Sequence, residues 1–483
     1  MDRLDARQPR PLYGSAATRR LEHAAQALLP PHTLMQRAGL AVARLALALA
    51  PHARRVWIAC GPGNNGGDGF EAARHLQAWG QHPVVTWLGD EARAPADALA
   101  SLARARAAGV RFADEPPTLA AHDLAIDALL GLGAARAPEG RLLAAIGRLN
   151  AGLAPVLAID LPSGLDADHG AAHGSEAFVR AHHTLSLLTL KPGLFTARGR
   201  DAVGAVWFDD LGCAPTEAAE ARLIGAPAAA VRAHATHKGS FGDVAVVGGA
   251  PGMAGAALLA GTAALHAGAG RVFVGLLDPG AAALDAGQPE LMLRNPELLD
   301  YASTTVVCGC GGGEAVRPHL PLVLAEARAL VLDADALNAV AADAALVPML
   351  QARAAHGQPT VLTPHPLEAA RLLGRSTAEV QARRLDAAHA LAERFGCTVV
   401  LKGSGTVVAA PGRPAGINPT GNARLATAGT GDVLAGLVGA RLASGLDAFD
   451  AACAAVYAHG MAADRWPAGV ALTAGALARR LAA

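Results

Sequence analysis

The sequence predicts two α/β domains in tandem, and three observations carry the prediction. The chain has 483 residues, more than one ordinary hydrophobic core accommodates. Its strand-like apolar runs are continuous rather than alternating and are interleaved with helical stretches, the pattern of a mainly parallel sheet covered on both faces. That pattern breaks once, over residues 213–236, where the sequence dissolves into Ala, Pro and Glu, and then resumes. We therefore expect a first domain over 1–212, a linker over 213–236 and a second domain over 237–483.

Taken in order, residues up to 30 carry little pattern. Over 31–50, Leu34, Ala38, Val42, Leu45 and Leu49 recur at helical spacing. Residues 55–60 form a buried strand that runs into the loop Gly61-Pro-Gly-Asn-Asn-Gly-Gly-Asp-Gly69, and 70–80 continues as a helix. Further strands are expected at 84–88, 124–127, 156–160, 184–190 and 205–208, with helices at 97–108 and 141–150. In the second domain the strands are 243–247, 271–275, 305–308, 329–333, 359–363, 397–401 and 406–409. The remainder is helical over 432–443, 448–463 and 473–481.

Composition narrows the function. Formal charge is zero and no basic run is interleaved with aromatics, so nucleic acid is not expected as a partner. No uninterrupted apolar stretch reaches membrane-spanning length, and residues 1–5 lack the apolar segment of a secretory signal. Cys60, Cys213, Cys308, Cys310, Cys397 and Cys453 are scattered, with no C-x-x-C, which points to reduced thiols in the cytoplasm and no zinc site. The basic residues are almost all arginine. Only Lys191, Lys238 and Lys402 are lysine, each followed by Gly or Pro-Gly. Such positions are candidates for a compact ammonium rather than a planar fork.

Four motifs fall at strand ends in the first domain, where open α/β sheets bind ligands. Residues 61–66 match G-x-G-x-x-G, yet Asn64, Asn65 and Asp68 crowd that loop with side-chain oxygens. Those oxygens suit a hard cation, or hydrogen bonds to ribose and amide, better than a pyrophosphate. Asp127, Asp160 and Lys191 follow at later strand ends. For the two acids the alternative is a helix N-cap.

The second domain ends on a glycine-rich turn, Gly429-Thr-Gly431-Asp432, opening an apolar helix. Free N–H groups and the helix dipole make such a turn an anion site, and phosphate is the usual anion. Asp432 in its first turn is placed to act as a base. The alternative is a loop that only caps the helix. Other strand ends carry Cys308-Gly-Cys310-Gly311-Gly312-Gly313, Asp333 and Asp335, His365 between prolines, and Lys402-Gly403-Ser404-Gly405-Thr406, a turn able to cradle a nucleotide. No G-K-[ST] occurs, which excludes a P-loop.

The motifs at 61–69, 160–166 (Asp-Leu-Pro-Ser-Gly-Leu-Asp) and 190–193 (Leu-Lys-Pro-Gly) resemble the NAD(P)H-hydrate epimerase family over about residues 10–210. That resemblance implies a Rossmann-like three-layer domain that interconverts the R and S forms of hydrated NADH and NADPH (NADHX and NADPHX). It implies hydrate contacts from Asn64, Asn65, Gly66, Gly67 and Asp68, from Gly131, Leu132 and Gly133 onward to Ala137, and from Asp160. Asp160 would be catalytic with Lys191 beside it, and Asn65, Asp127 and Ser163 would hold K+. An Ala-rich stretch at 134–138 departs from the family pattern.

The set Asp-Ala-Asp-Ala-Leu-Asn at 333–338, Thr-Pro-His-Pro with Glu368, Lys-Gly-Ser-Gly-Thr at 402–406 and Gly-Thr-Gly-Asp at 429–432 resembles the ADP/ATP-dependent NAD(P)H-hydrate dehydratases, which are ribokinase-like, over about 237–483. It implies that Lys402, Gly403, Ser404, Gly405, Thr406 and Gly431 bind ADP or ATP with Mg2+. Ala256, Gly311 or Gly313, His365 and Asp432 would face the hydrate, with Asp432 as base. Together the halves imply a bifunctional repair enzyme, working as a homo-oligomer, that epimerises the hydrates and dehydrates the S form. The rival is a ribokinase-type kinase fused to a non-catalytic Rossmann-like binding module.

Overall fold

The computed structural model describes residues 1–134, 136–174, 177–228 and 233–481. The chain divides into two compact units, Met1–Asp5 with Arg10–Ala221, and Ala6–Pro9 with Arg222–Ala483. Among the described residues no helix is long and apolar enough to cross a membrane.

The strands of the first part of the chain are β1 (Asp2–Arg3), β2 (Arg10–Leu12), β3 (Val56–Cys60), β4 (Pro83–Trp87), β5 (Arg111–Phe112), β6 (Leu124–Ala128), β7 (Val156–Ile159), β8 (His183–Leu187) and β9 (Ala205–Asp209). The first unit's sheet runs β1-β9-β8-β7-β6-β3-β4-β5. Every pair from β9 to β5 is parallel, and β1 joins β9 antiparallel. From β3 the chain winds outward through β4 and β5, then returns to place β6 on the other side of β3. The carboxyl ends of β3 and β6 thus diverge at a topological switch point, where such sheets bind ligands.

β10 (Ala221–Leu223) is a short strand inside the stretch expected to be irregular. After it come β11 (Asp243–Gly248), β12 (Arg271–Leu276), β13 (Met292–Arg294), β14 (Thr305–Cys308), β15 (Ala329–Leu332), β16 (Thr360–Leu362), β17 (Thr398–Leu401), β18 (Val407–Ala409) and β19 (Ala415–Ile417). In the second unit the order β13-β12-β11-β14-β15-β16-β17 is parallel throughout, and β18 and β19 extend it as antiparallel strands. Here the switch point lies between β11 and β14. Both units are thus the expected α/β layers, and the predicted strands are present with ends shifted by a residue or a few.

Two differences matter for function. The residues read as a loop from Asn64 to Gly69 are already helix, because the third helix of the first unit starts at Asn64 and runs to Ala78 with Gly63 as its cap. Its glycines have no left-handed backbone. They are needed for close approach instead: a methyl on Gly66 would stand 2.3 Å from the Gly61 carbonyl oxygen, and one on Gly69 2.7 Å from the Cys60 sulfur and 2.8 Å from Ala128 Cβ. The second difference is a helix over Ser15–Leu28 where little pattern was visible; it buries only Ala17, Thr18 and Leu21, too few positions to produce a periodic signal.

Gly69→Ala is expected to cost about 1–3 kcal/mol by overpacking, seen as a lower urea midpoint. Gly147→Ala, in the Gly140–Ala151 helix with nothing within 4 Å of the added methyl, should stabilise by about 0.5–1 kcal/mol.

Candidate active sites

In the first unit the four strand-end motifs meet at a cavity of about 470 Å3. Asn64, Asn65 and Asp68 line it from the helix after β3, Gly131, Leu132, Gly133 and Ala134 from the turn after β6, Asp160 from the end of β7, and Lys191 from beyond β8. Gly66 and Gly67 do not line it; they pack against Gly61 and the Met35 sulfur. Within the Ala-rich stretch, Ala134 is on the wall, whereas Ala135 lies outside the described residues.

Asp160 holds a left-handed backbone, φ +68°, a conformation that Asp tolerates better than most residues. This turns its carboxylate back over the sheet edge. There it accepts from the Leu187 N–H (3.1 Å) and from the Lys191 ammonium. Lys191 is wholly buried and also donates to the carbonyls of Leu187 (2.7 Å) and Thr189 (2.9 Å). Its three protons are therefore spent inside the protein. It steadies Asp160 and has none left for a ligand.

Asp127 is also wholly buried, and it caps no helix. It accepts from the Ser163 hydroxyl (2.6 Å), the Ser163 N–H (2.8 Å) and the Leu129 N–H (3.2 Å). Burial pushes its carboxyl up to about 6, against the lowering effect of the Ser163 bonds. Asn65 Nδ2 donates to the Leu130 carbonyl (3.0 Å) in the same turn, leaving its amide oxygen. Asn65, Asp127 and Ser163 are brought together as an oxygen-only donor set, which fits a hard cation.

The cavity has a wall that the sequence did not announce. Thr18, Arg19, Glu22 and Gln26 of the Ser15–Leu28 helix line it. Thr18 Oγ1 lies 2.7 Å from Thr189 Oγ1, and Arg19 donates to the Leu132 carbonyl (2.9 Å), so the helix is fixed to two of the strand-end loops. The available signal was the four-residue spacing of Thr18, Glu22 and Gln26, which puts them on one helical face.

In the second unit, Gly429 caps the Thr430–Ala443 helix with φ +87°, and Asp432 stands in its first turn, as expected. His459, which sequence reasoning passed over, donates from Nε2 to the Thr430 carbonyl (3.0 Å) beneath that turn. Burial lowers it to about 4, so it stays neutral. Burial pushes Asp432 up to about 6; Asp333 adds to this and a hydrogen bond with Cys310 opposes it. Asp333, buried at the end of β15, accepts from Thr363 Oγ1 (2.8 Å) and Lys402 Nζ (2.6 Å). Glu368 lies 4.0 Å from the same ammonium, and burial raises its carboxyl to about 7 although Lys402 opposes this. Burial alone would lower Lys402, but Asp333 and Glu368 reverse the direction and raise it.

The remaining residues fall around this pair. A methyl on Gly431 would stand 3.5 Å from Lys402 Nζ. Gly403 (φ +135°) and Gly405 (φ +63°) carry the chain with Ser404 into Thr406, whose hydroxyl donates to the Gly403 carbonyl (3.1 Å). Arg384, unsuspected from sequence, braces this turn by donating to the Leu401 and Lys402 carbonyls (3.1 Å each). Gly311 touches Ala256: a methyl there would lie 2.8 Å from Ala256 Cβ, and its φ is +58°. The Gly313 N–H donates to Asp335 (2.8 Å). His365 proves to be a helix cap, its Nδ1 accepting from the N–H groups of Leu367 (3.1 Å) and Glu368 (3.3 Å). That leaves Nε2 as the ring's donor, 3.2 Å from Glu368 Oε1.

Donor atoms of Cys310, Asp333 and Asp432 lie within 4.8 Å of one another. Two carboxylates suit Mg2+ shared with phosphates, while a thiol does not. Cys308 and Cys310 are free thiols, and burial raises both. Lys238 is exposed in the short turn ahead of β11.

Lys191→Met would leave the Asp160 carboxylate without its counter-ion. A loss of about 3–5 kcal/mol is expected in urea unfolding of the first unit, largely restored by adding Asp160→Asn.

Comparison with known proteins bears on both halves. The family model for NAD(P)H-hydrate dehydratase matches residues 244–482, and that for the YjeF-related protein N-terminus matches 31–193. The bifunctional NAD(P)H-hydrate repair enzyme Nnr of Escherichia coli is 40% identical over 450 residues, covering 90% of this chain and 85% of that protein. Its counterpart in Coxiella burnetii is 35% identical over 94% of both chains. The ADP-dependent (S)-NAD(P)H-hydrate dehydratase of Neisseria meningitidis is 46% identical over 258 residues, covering 52% of this chain and 86% of that protein. With both halves matched in one continuous alignment, the chain belongs to the family of bifunctional NAD(P)H-hydrate repair enzymes.

Proposed function

We propose that the chain restores hydrated NADH and NADPH in two steps: the first unit interconverts the R and S hydrates, and the second dehydrates the S form at the expense of ADP or ATP. The observation that carries this reading is the presence of both sites, the Asp160 cavity and the Asp432 cluster, in a chain whose E. coli relative matches it across both halves. A kinase joined to a non-catalytic binding module would use the first cavity but leaves its Asp160–Lys191 pair without a reaction to serve.

In the second unit, Asp432 takes the proton of the hydrate's hydroxyl, and the oxygen attacks the terminal phosphoryl group of the nucleotide. Hydroxide is a poor leaving group, and the phosphorylated oxygen leaves as phosphate. The ring nitrogen's electron pair expels it, and loss of a proton from the neighbouring carbon forms the ring double bond. Lys402, beside Gly431 at the helix start, offsets phosphate charge, aided by the helix dipole. The turn from Lys402 to Thr406, fixed by Arg384, cradles the nucleotide. Ala256, Gly311, Gly313 and His365 form the side facing the hydrate. Mg2+ arriving with the nucleotide would be held by Asp333 and Asp432 and would neutralise phosphate charge.

In the first unit, Asp160 is the reacting carboxylate and Lys191 orients it. Asn64, Asn65, Asp68 and the turn from Gly131 to Gly133 grip the hydrate. Asn65, Asp127 and Ser163 would hold K+, which would balance the buried Asp127 charge. We place the enzyme in the cytoplasm, consistent with its free cysteines.

Given a mixture of both hydrates with ADP or ATP and Mg2+, the chain should regenerate all of the reduced nicotinamide, followed by its near-ultraviolet absorbance. Asp432→Asn should lower turnover about 10²–10⁴-fold, and Asp160→Ala should confine fast recovery to the S fraction. Because the base works deprotonated, dehydration should rise with pH through about 6. Consumption of nucleotide on some other alcohol, with no absorbance gained, would overturn the reading.

K+ in place of choline should raise the thermal midpoint of the first unit. Asp127→Asn should remove that increment; an equal increment in the variant would exclude Asp127 as a ligand.

A further inference from the structure

The first cavity holds more carboxyl groups than the residues assigned above use. Glu22 of the Ser15–Leu28 helix, Asp68, Asp97 and Asp160 all face it, with Lys191 as the buried cation. Asp160 is satisfied by Lys191 and the Leu187 N–H, and Asp97 is bonded to His32 (2.5 Å). The carboxyls of Glu22 and Asp68 have no hydrogen-bond or ion-pair partner among the described residues. Asp68 lies one helical turn from Asn65, on the wall already read as gripping the hydrate. Glu22 comes from a separate wall, on a helix outside the matched 31–193 segment.

Resting on the epimerase reading of this cavity, we propose that Glu22 is a further catalytic residue, the proton donor that works opposite the Asp160 base. The hydroxyl-bearing carbon of the hydrate is bonded to the ring nitrogen. Its configuration is lost when that bond opens. Asp160 takes the hydroxyl proton, the O–H pair becomes the second bond of a carbonyl, the C–N pair moves onto nitrogen, and nitrogen takes a proton from Glu22. Closing on the other face of the carbonyl returns both protons. No other reactant is needed, and each carboxyl ends as it began.

The environments match this division of labour. Asp160 is kept as an acceptor by its two donors. Burial raises the Glu22 carboxyl, with Asp160 reinforcing this and His23 and Lys191 opposing it. Burial, then Asp160 and Glu22, raise Asp68 as well. The charged groups facing Glu22 are Asp68, Asp97, Asp160 and Lys191 from the other walls and Arg19 and His23 from its own helix. A carboxylate held by two donors and a second, unpartnered carboxyl on the facing wall are the arrangement expected of an acid–base couple. The helix that carries Glu22 is pinned one turn earlier by the Thr18–Thr189 bond, which fixes its reach.

The test follows both hydrates in the full chain with ADP and Mg2+. Recovery of the S fraction reports the second unit and serves as the internal control. Glu22→Gln keeps the shape but cannot give up a proton at useful rates; it should slow recovery of the R fraction about 10²-fold, leave the S fraction unchanged and abolish the alkaline limb of the epimerisation profile. That limb arises because activity falls as the acid loses its proton. Glu22→Asp should recover part of the rate and keep the limb. An R-fraction rate within threefold of the unsubstituted chain in Glu22→Gln, or a slowed rate with the limb intact, would overturn the role of Glu22. If the unsubstituted chain itself recovered only the S fraction, the epimerase reading would fall, and this inference with it.

Discussion

Each unit sets an ammonium against a carboxylate at the carboxyl edge of its parallel sheet, the buried Lys191 on Asp160 and the partly buried Lys402 on Asp333. Removing either ion from water costs several kcal/mol, which only close pairing and further hydrogen bonds offset. Both pairs meet that condition in different ways. Lys191 spends its protons on protein carbonyls and is closed off, so its charge acts only through Asp160. Lys402 stays partly open beside Gly431, with Asp333 and Glu368 competing for it. A closed ammonium suits proton shuffling, in which charge is moved and then returned. A half-open one suits phosphate, which arrives charged and must be met.

The parallel sheet explains why such pairs occur where they do. All strands of a parallel run point their carboxyl ends the same way, so residues far apart in sequence converge at one edge. Asp127, Asp160 and Lys191 converge in the first unit, and Cys310, Asp333, His365 and Lys402 in the second. Buried on both faces, the strands read as uninterrupted apolar runs, and the polar residue after each run is conspicuous. This is why the fold class, the strands and the residues gathered at both sheet edges were legible in the sequence, while the order of the strands was not. The scarcity of lysine helped as well: two of the three lysines sit at the centres of the sites, and Lys238 does not.

What escaped the sequence did so for physical reasons. Glycines at 66, 67 and 69 suggested a loop, whereas they let a helix press against the Gly61 backbone, against Met35 and against Cys60 of β3 and Ala128 of β6, where a side chain would collide. The Ser15–Leu28 helix lies over the sheet edge and buries few residues, because one of its faces borders a cavity rather than a core, so hydrophobic periodicity could not reveal it. Arg384 and His459 act beneath the second site through backbone carbonyls, and a residue that only braces a turn leaves no motif. His365 was singled out for its proline setting, whereas its rigidity comes from its capping of a helix through Nδ1.

The most direct test of the account supplies the R hydrate alone, resolved from its epimer, to the unsubstituted chain and follows both hydrates by chromatography. With nucleotide withheld, the account predicts rapid conversion to a stable mixture of R and S. When ADP or ATP with Mg2+ is then added, both hydrates should disappear together as reduced nicotinamide forms. An R hydrate that persists at its spontaneous rate before nucleotide is added, and remains afterwards, would contradict the assignment of two sequential activities to one chain.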